Sequence, residues 1–147
     1  MRDYASLALR AALGITFLFS VADRFGLLGP PGTPGVSWGT FPRFAAYAGM
    51  LNWYAPHGLV PIIAWVDTGL EIFLGVALLA GLWLRRVAII AALLLLAFAL
   101  TMARSNGIGA PFAYSVFTAA AGAFMLASTS STRWSVDDLL KGRSKAR

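Results

Sequence analysis

Cysteine is missing from the 147 residues, and histidine occurs once, as His57. Without a thiol the chain has no disulfide staple, no thiolate nucleophile, no Cys-based zinc site and no iron–sulfur ligation. One imidazole at the entrance to an apolar run is too few for the two axial ligands of a b-type haem bundle, so His57 reads as an interfacial residue. Di-metal carboxylate bundles fail on the same ground, because they need a Glu-x-x-His on each of two helices. No metal and no covalently held cofactor is expected. Charge is scarce as well: 12% of residues are charged and 59% hydrophobic, against about a quarter charged in soluble domains. Twelve Lys and Arg against six Asp and Glu leave a net charge of +6. The polar surface on which a nucleic-acid binder displays such charge is absent, so no nucleic-acid partner is expected.

What the chain has is long apolar runs and a mean hydropathy of +0.73. At about 20 apolar residues per crossing, residues 1–147 make one membrane domain with the lipid bilayer as its first partner. The first run, Tyr4 to Ala22, carries Arg10 inside and ends on Asp23 and Arg24, giving a span over about 4–25. It also has the layout of a secretory signal: Arg2, an apolar stretch from Ala11 to Phe19, and Ser20-Val21-Ala22 as a small-x-small cleavage site. A retained helix is the expectation. Gly29-Pro30-Pro31-Gly32-Thr33-Pro34-Gly35 cannot continue a helix and reads as a loop. Beyond it Phe44, Tyr47, Ala48, Leu51, Tyr54 and Ala55 recur at helical spacing after Thr40, a possible N-cap. This predicts a short interfacial helix over about 41–55, with Trp38, Trp53 and Tyr54 at the membrane boundary.

Three further spans follow, over about 59–84, 87–103 and 111–127, the first of these stopped by Arg85-Arg86 and the last opened by Pro111. The expected fold is an all-α membrane protein: a four-transmembrane-helix bundle with a short interfacial helix in its first extracytoplasmic loop. Four spans put both termini on one side. Arg2, Arg85, Arg86, Arg133, Lys141, Arg143, Lys145 and Arg147 share that side, whereas Arg24, Arg43 and Arg104 lie opposite. The positive-inside rule therefore makes both termini cytoplasmic. Ser135-Val136-Asp137-Asp138 resembles a capping box, and residues 128–147 form a basic cytoplasmic tail facing anionic headgroups.

Ionisable groups within a span cost about 2.5–3.5 kcal/mol each on insertion scales and need partners. Arg10, Asp67 and Glu71 qualify, with Arg24 at the end of the first span. Asp67 and Glu71 are four apart and share a helix face. Two bare carboxylates would repel, so either an arginine sits between them or one holds a proton. Depth, at about 1.5 Å per residue, pairs Arg24 (about 30 Å from Tyr4) with Asp67 (about 25 Å from Leu84). Arg10 at about 10 Å and Glu71 at about 20 Å match less well, a gap that an arginine stem covers only in part. These pairs either lock the helices or bind a ligand. On the fourth span Ser115, Ala119 and Ala123 form a small-xxx-small stripe suited to close helix packing, as do Gly69, Gly75 and Gly81 on the second. Tyr114 and Ser115 are the hydroxyls that could instead meet a ligand.

The chain resembles the DoxX family of small four-helix bacterial membrane proteins. Arg10, Leu13-Gly14, Ser20 and Arg24-Phe25 resemble the opening helix of that family. Leu70-Glu71-Ile72-Phe73-Leu74-Gly75, Gly81 and Arg85 resemble its glycine-punctuated second helix. The loop from Gly29 to Gly39 and the Pro111 to Phe117 segment resemble one branch, so that the likeness covers Ala5 to about Ala127. Val21 replaces a common glycine and Ala113 an expected acidic residue, which weakens an acid-dependent role there. The resemblance implies an inner-membrane bundle linked in some members to quinone-dependent oxidation and in others to oxidative-stress complexes. It implies a quinone as the one cofactor to consider and a protein partner to carry electrons, since this chain has no redox group of its own. The alternative is a non-catalytic anchor or assembly factor for a partner protein. A proton-coupled transporter ranks last, because small four-helix exporters place their essential carboxylate in the first span. A homo-oligomer is compatible with either reading, and a stand-alone enzyme is not expected.

Overall fold

The first apolar run forms helix α1, Arg2–Arg24, in the computed structural model, which describes residues 1–129 and 134–139. Helix α2 covers Phe41–Leu51, with Pro42 in its first turn, where a missing N–H costs nothing. A single 3-10 turn, His57–Leu59, leads into α3, Val60–Ala80. Helix α4 spans Leu84–Asn106, α5 is the short Gly109–Ala113, and α6 is Val116–Ser128. The described residues are thus all-helical. α1, α3 and α4 are long and apolar enough to cross a membrane, and α6 is a shorter apolar helix.

Several boundaries differ from the expected spans for identifiable reasons. The run 59–84 does not continue to the two arginines, because Gly81 takes a left-handed conformation (φ 67°) and ends α3. Arg85 and Arg86 instead sit in the first turn of α4. Helix α4 then runs on to Asn106, beyond the expected end at 103. The expected 111–127 span is two pieces, since Tyr114 closes α5 onto Ala110 and Ser115 is left-handed at φ 56°. The short helix stops at Leu51 rather than 55, where Asn52 turns the chain by donating from its side chain to the Ala48 carbonyl. Ser135 caps the turn at 136–139, its hydroxyl accepting from the Asp138 N–H at 3.2 Å. Of the basic tail, residues 130–133 and 140–147 lie outside the described residues.

The helices pack in two principal pairs, α1 with α3 and α4 with α6. The first pair runs antiparallel with interlocking glycines. A Cβ on Gly14 would lie 2.9 Å from the Gly75 carbonyl, and one on Gly75 would lie 2.8 Å from the Leu18 side chain. The second pair meets through alanines, Ala88, Ala91, Ala92 and Ala99 of α4 with Ala120 and Ala123 of α6, all buried. Small residues let helix backbones approach closely where lipid removes the usual hydrophobic drive to associate. Leu13, Phe17, Leu74, Leu78, Val87 and Leu126 complete a core shared by both pairs. Gly69, by contrast, faces open space and takes no part in packing.

Gly75→Ala is expected to force α1 and α3 apart and to cost about 1–3 kcal/mol, whereas Gly69→Ala is expected to be neutral. Unfolding of both variants in detergent, followed by circular dichroism, measures the difference.

Candidate functional site

Arg24 ends α1 with a side chain only 2% exposed, inserted between α1, α2 and α3. Its Nη2 donates to Glu71 Oε1 at 2.7 Å and to Ser20 Oγ at 3.3 Å. Its Nη1 donates to Thr68 Oγ1 at 3.0 Å, and that hydroxyl in turn donates to the Ala64 carbonyl at 2.7 Å. Asp67 Oδ2 stands 3.6 Å from Nη1, an ion pair too long for a hydrogen bond. The guanidinium lies over the Phe44 ring, its Cζ 3.6 Å from the centroid, with Trp38 at 5.7 Å. Such stacking stabilises a desolvated cation by about 2 kcal/mol. Among the described residues, two buried side-chain atoms lack a hydrogen-bond partner, Arg24 Nε and Glu71 Oε2.

The neighbouring Asp23 builds the roof. Its Oδ2 accepts from the N–H groups of Ser37 (2.9 Å) and Trp38 (3.1 Å), and its Oδ1 from that of Gly39 (3.0 Å). The Gly-Pro loop is thereby tied to the end of α1, and Trp38 is set edge-on against Phe44. Phe44, Ala48 and Ala64 form a small second core beneath this loop.

A cavity of about 450 Å³ opens beside the cluster, between α2, α3 and α4 and reaching Val116 of α6. Arg24 and Asp67 stand in a wall that is otherwise mostly apolar, including Leu70, Leu94, Leu95 and Phe98. Tyr47, Asn52, Tyr54 and Thr101 add polar atoms. Three of these are engaged: Tyr54 donates to Asn52 Oδ1, Asn52 donates to the Ala48 carbonyl, and Thr101 donates to the Ala97 carbonyl. Burial, and then the nearby Tyr114, push the Tyr47 phenol above its ordinary pKa, so it keeps its proton at neutral pH.

The structure therefore brings Arg24, Asp67 and Glu71 together, with the arginine between the two acids. The expected pairing of Arg10 with Glu71 is not formed. Arg10 lies about two helical turns away along α3, donating from Nε to the Leu78 carbonyl at 3.1 Å and from Nη2 to Leu79 (3.1 Å) and Trp134 (3.2 Å). It covers the open carbonyl end of α3, where a cation is favoured. Tyr114 and Ser115 are exposed at the break before α6 and belong neither to the cluster nor to the cavity wall. His57 is exposed at the entrance to α3. Sequence reasoning missed Asp23, Thr68 and Phe44. Thr68 was accessible, because it lies three residues before Glu71 on the same helix face. Phe44 stands in the periodic stripe of α2, but its place over Arg24, like the role of Asp23, depends on the path of a loop that has no periodicity to read.

Residues 2–110 match the family model of the methylamine utilisation protein MauE, a stretch that contains the whole cluster. The chain belongs to the MauE family. It is accordingly a membrane protein with several apolar helices. This overturns the DoxX resemblance. Arg10, Leu13-Gly14, Ser20, Arg24-Phe25 and Leu70 to Gly75, which carried it, lie within the matched stretch, where Gly14 and Gly75 notch α1 against α3 and Arg24 pairs with Glu71. No curated protein and no solved structure matches the chain.

Arg24→Leu leaves two carboxylates facing apolar surroundings and is expected to destabilise the protein by about 3–5 kcal/mol. Glu71→Gln, which keeps an acceptor for Nη2, is expected to cost less. Thermal unfolding of the detergent-solubilised variants measures both. Asp23→Ala is expected to release the loop, seen as faster cleavage of residues 26–39 in limited proteolysis than in the wild type.

Proposed function

We propose that this chain is an accessory membrane protein of a methylamine-utilising system, acting with a protein partner that carries out the redox chemistry. The observation that carries the reading is the buried Arg24–Asp67–Glu71 cluster beside an apolar cavity, lying within the segment matched by the MauE model. No thiol is present and histidine occurs once, so electrons in such a system travel through the partner and not through this chain. The bundle's part is to hold a ligand or to hold the partner in place.

In this reading the chain crosses the bacterial inner membrane four times, α5 and α6 together making the last crossing. At about 1.5 Å per residue, residues 109–128 reach about 30 Å, the thickness of the hydrocarbon layer. Both termini are then cytoplasmic, in keeping with Arg85 and Arg86 at the α3–α4 turn. Helix α2 lies at the opposite interface, with exposed Trp53 and Tyr54 beside it. A quinone suits the cavity by volume, since ligand sites commonly measure about 300–1,000 Å³. A quinone offers carbonyl acceptors, for which the protonated Tyr47 phenol is a donor in the wall, whereas Asp67 is itself an acceptor, Arg24 Nε is sealed from solvent, and the Tyr54 and Thr101 hydroxyls already donate elsewhere. No step is assigned to a quinone.

Deleting the gene in its source bacterium is expected to abolish growth on methylamine while sparing growth on ammonium. A plasmid copy should restore growth, and a Glu71→Gln copy should restore it less well at equal protein level. Unimpaired growth of the deletion strain on methylamine would overturn the proposal.

A further inference from the structure

The cavity beside Arg24 has a chemical preference written into its wall. Asp67 and Glu71 bring two carboxylates to one guanidinium, which leaves one negative charge in excess when both acids are ionised. The guanidinium is not shared equally. Glu71 takes a 2.7 Å hydrogen bond and is sealed from solvent, whereas Asp67 is held only at 3.6 Å and remains 12% exposed. Asp67 is the acid in the cavity wall; Glu71 is not. No side-chain or backbone hydrogen bond to Asp67 occurs among the described residues apart from those within the helix, and no second cation lies within ion-pair distance of it there. Beyond Arg24, Asn52 and Thr101 the rest of the wall is apolar, with aromatic rings at Phe44, Tyr47, Tyr54 and Phe98.

We propose that this cavity binds an organic ammonium ion, with the Asp67 carboxylate as its counter-ion and the apolar and aromatic wall around its carbon body. The inference deepens the functional reading above by naming the ligand class of the same site, and it rests on that site being the working one. Three properties of the wall select this class. When both acids are ionised, an entering cation balances the second carboxylate, which Arg24 alone does not. Asp67 offers acceptor atoms, so the bound head must donate. Aromatic faces favour cations further. The volume of about 450 Å³ asks for a body well beyond a single carbon. A free inorganic cation would leave most of that apolar surface without a partner.

The test uses the full chain in detergent and three probes of nearly equal shape: 2-phenylethylammonium, 2-phenylethanol and 3-phenylpropionate. The ammonium is expected to bind at least tenfold more tightly than the alcohol, and the carboxylate not at all, by calorimetry and by protection against thermal unfolding. Across ethyl-, butyl- and hexylammonium the affinity should rise about fourfold per added methylene, as for apolar burial. Asp67→Asn should remove the preference for ammonium over alcohol. Should Asp67→Asn fail to fold, Leu95→Trp, which fills the cavity from α4, should weaken ammonium binding at least tenfold. Equal binding of alcohol and ammonium, tighter binding of the carboxylate, absence of binding by all three, or full ammonium affinity in Asp67→Asn or Leu95→Trp would each overturn the inference. Loss of growth on methylamine without ammonium binding would overturn this inference alone. Ammonium binding by a chain whose deletion leaves that growth intact would overturn the functional reading alone.

Discussion

The guanidinium of Arg24 is the point on which the arrangement turns. An arginine buried to 2% exposure at the end of an apolar helix is tolerable only if its donors find acceptors and its charge finds a counter-charge. Glu71, Thr68 and Ser20 supply the acceptors, and Phe44 supplies a ring face. These groups come from α1, α2 and α3, so satisfying one side chain fixes three elements at once. Removing one partner of such a buried assembly is costly because it leaves an uncompensated charge behind. Asp23, the next residue back, extends the same constraint to the Gly-Pro loop by accepting from three of its amides.

The two principal helix pairs solve the packing problem differently. α1 and α3 are joined by glycine notches and by arginines at both ends, Arg10 on the carbonyls of α3 and Arg24 on its acids. α4 and α6 meet largely through alanines, with Val87 and Leu126 beside them. The pairs share a core around Leu74, Leu78 and Val87, yet they do not close fully at the end where α2 lies across them. The cavity occupies that gap, with Asp67 and Arg24 in its wall. Val116, the first residue of α6 after the left-handed Ser115, closes one side of it.

Much of this was legible in the chain before folding. Length and apolarity announced α1, α3 and α4, and the four-residue spacing of Asp67 and Glu71 announced a shared acidic face needing either a guanidinium or a proton, of which the structure places the guanidinium. Depth matching placed Arg24 beside Asp67 and missed that Glu71 would be the closer partner, because a long side chain reaches along the helix axis in a way that a rise per residue ignores. It assigned Arg10 to an acid when the open carbonyls of Leu78 and Leu79 lay nearer. The loop carries no period, so neither the role of Asp23 nor the seat of Trp38 could be read from it. The family was misread: the residues that suggested DoxX lie in the stretch that matches the MauE model.

At the end far from the cluster, the α3–α4 turn is completed by residues from well beyond it. Asp137 accepts from the amides of Trp83 and Leu84, each at 2.8 Å, and its own N–H donates to the Gly81 carbonyl. The first donors of α4 are therefore satisfied by a carboxylate that leaves the ribosome more than fifty residues later. While α4 is being inserted, those amides have only water or headgroups to turn to. The tip of the α3–α4 hairpin therefore acquires its native cap only after the chain through α6 has been made.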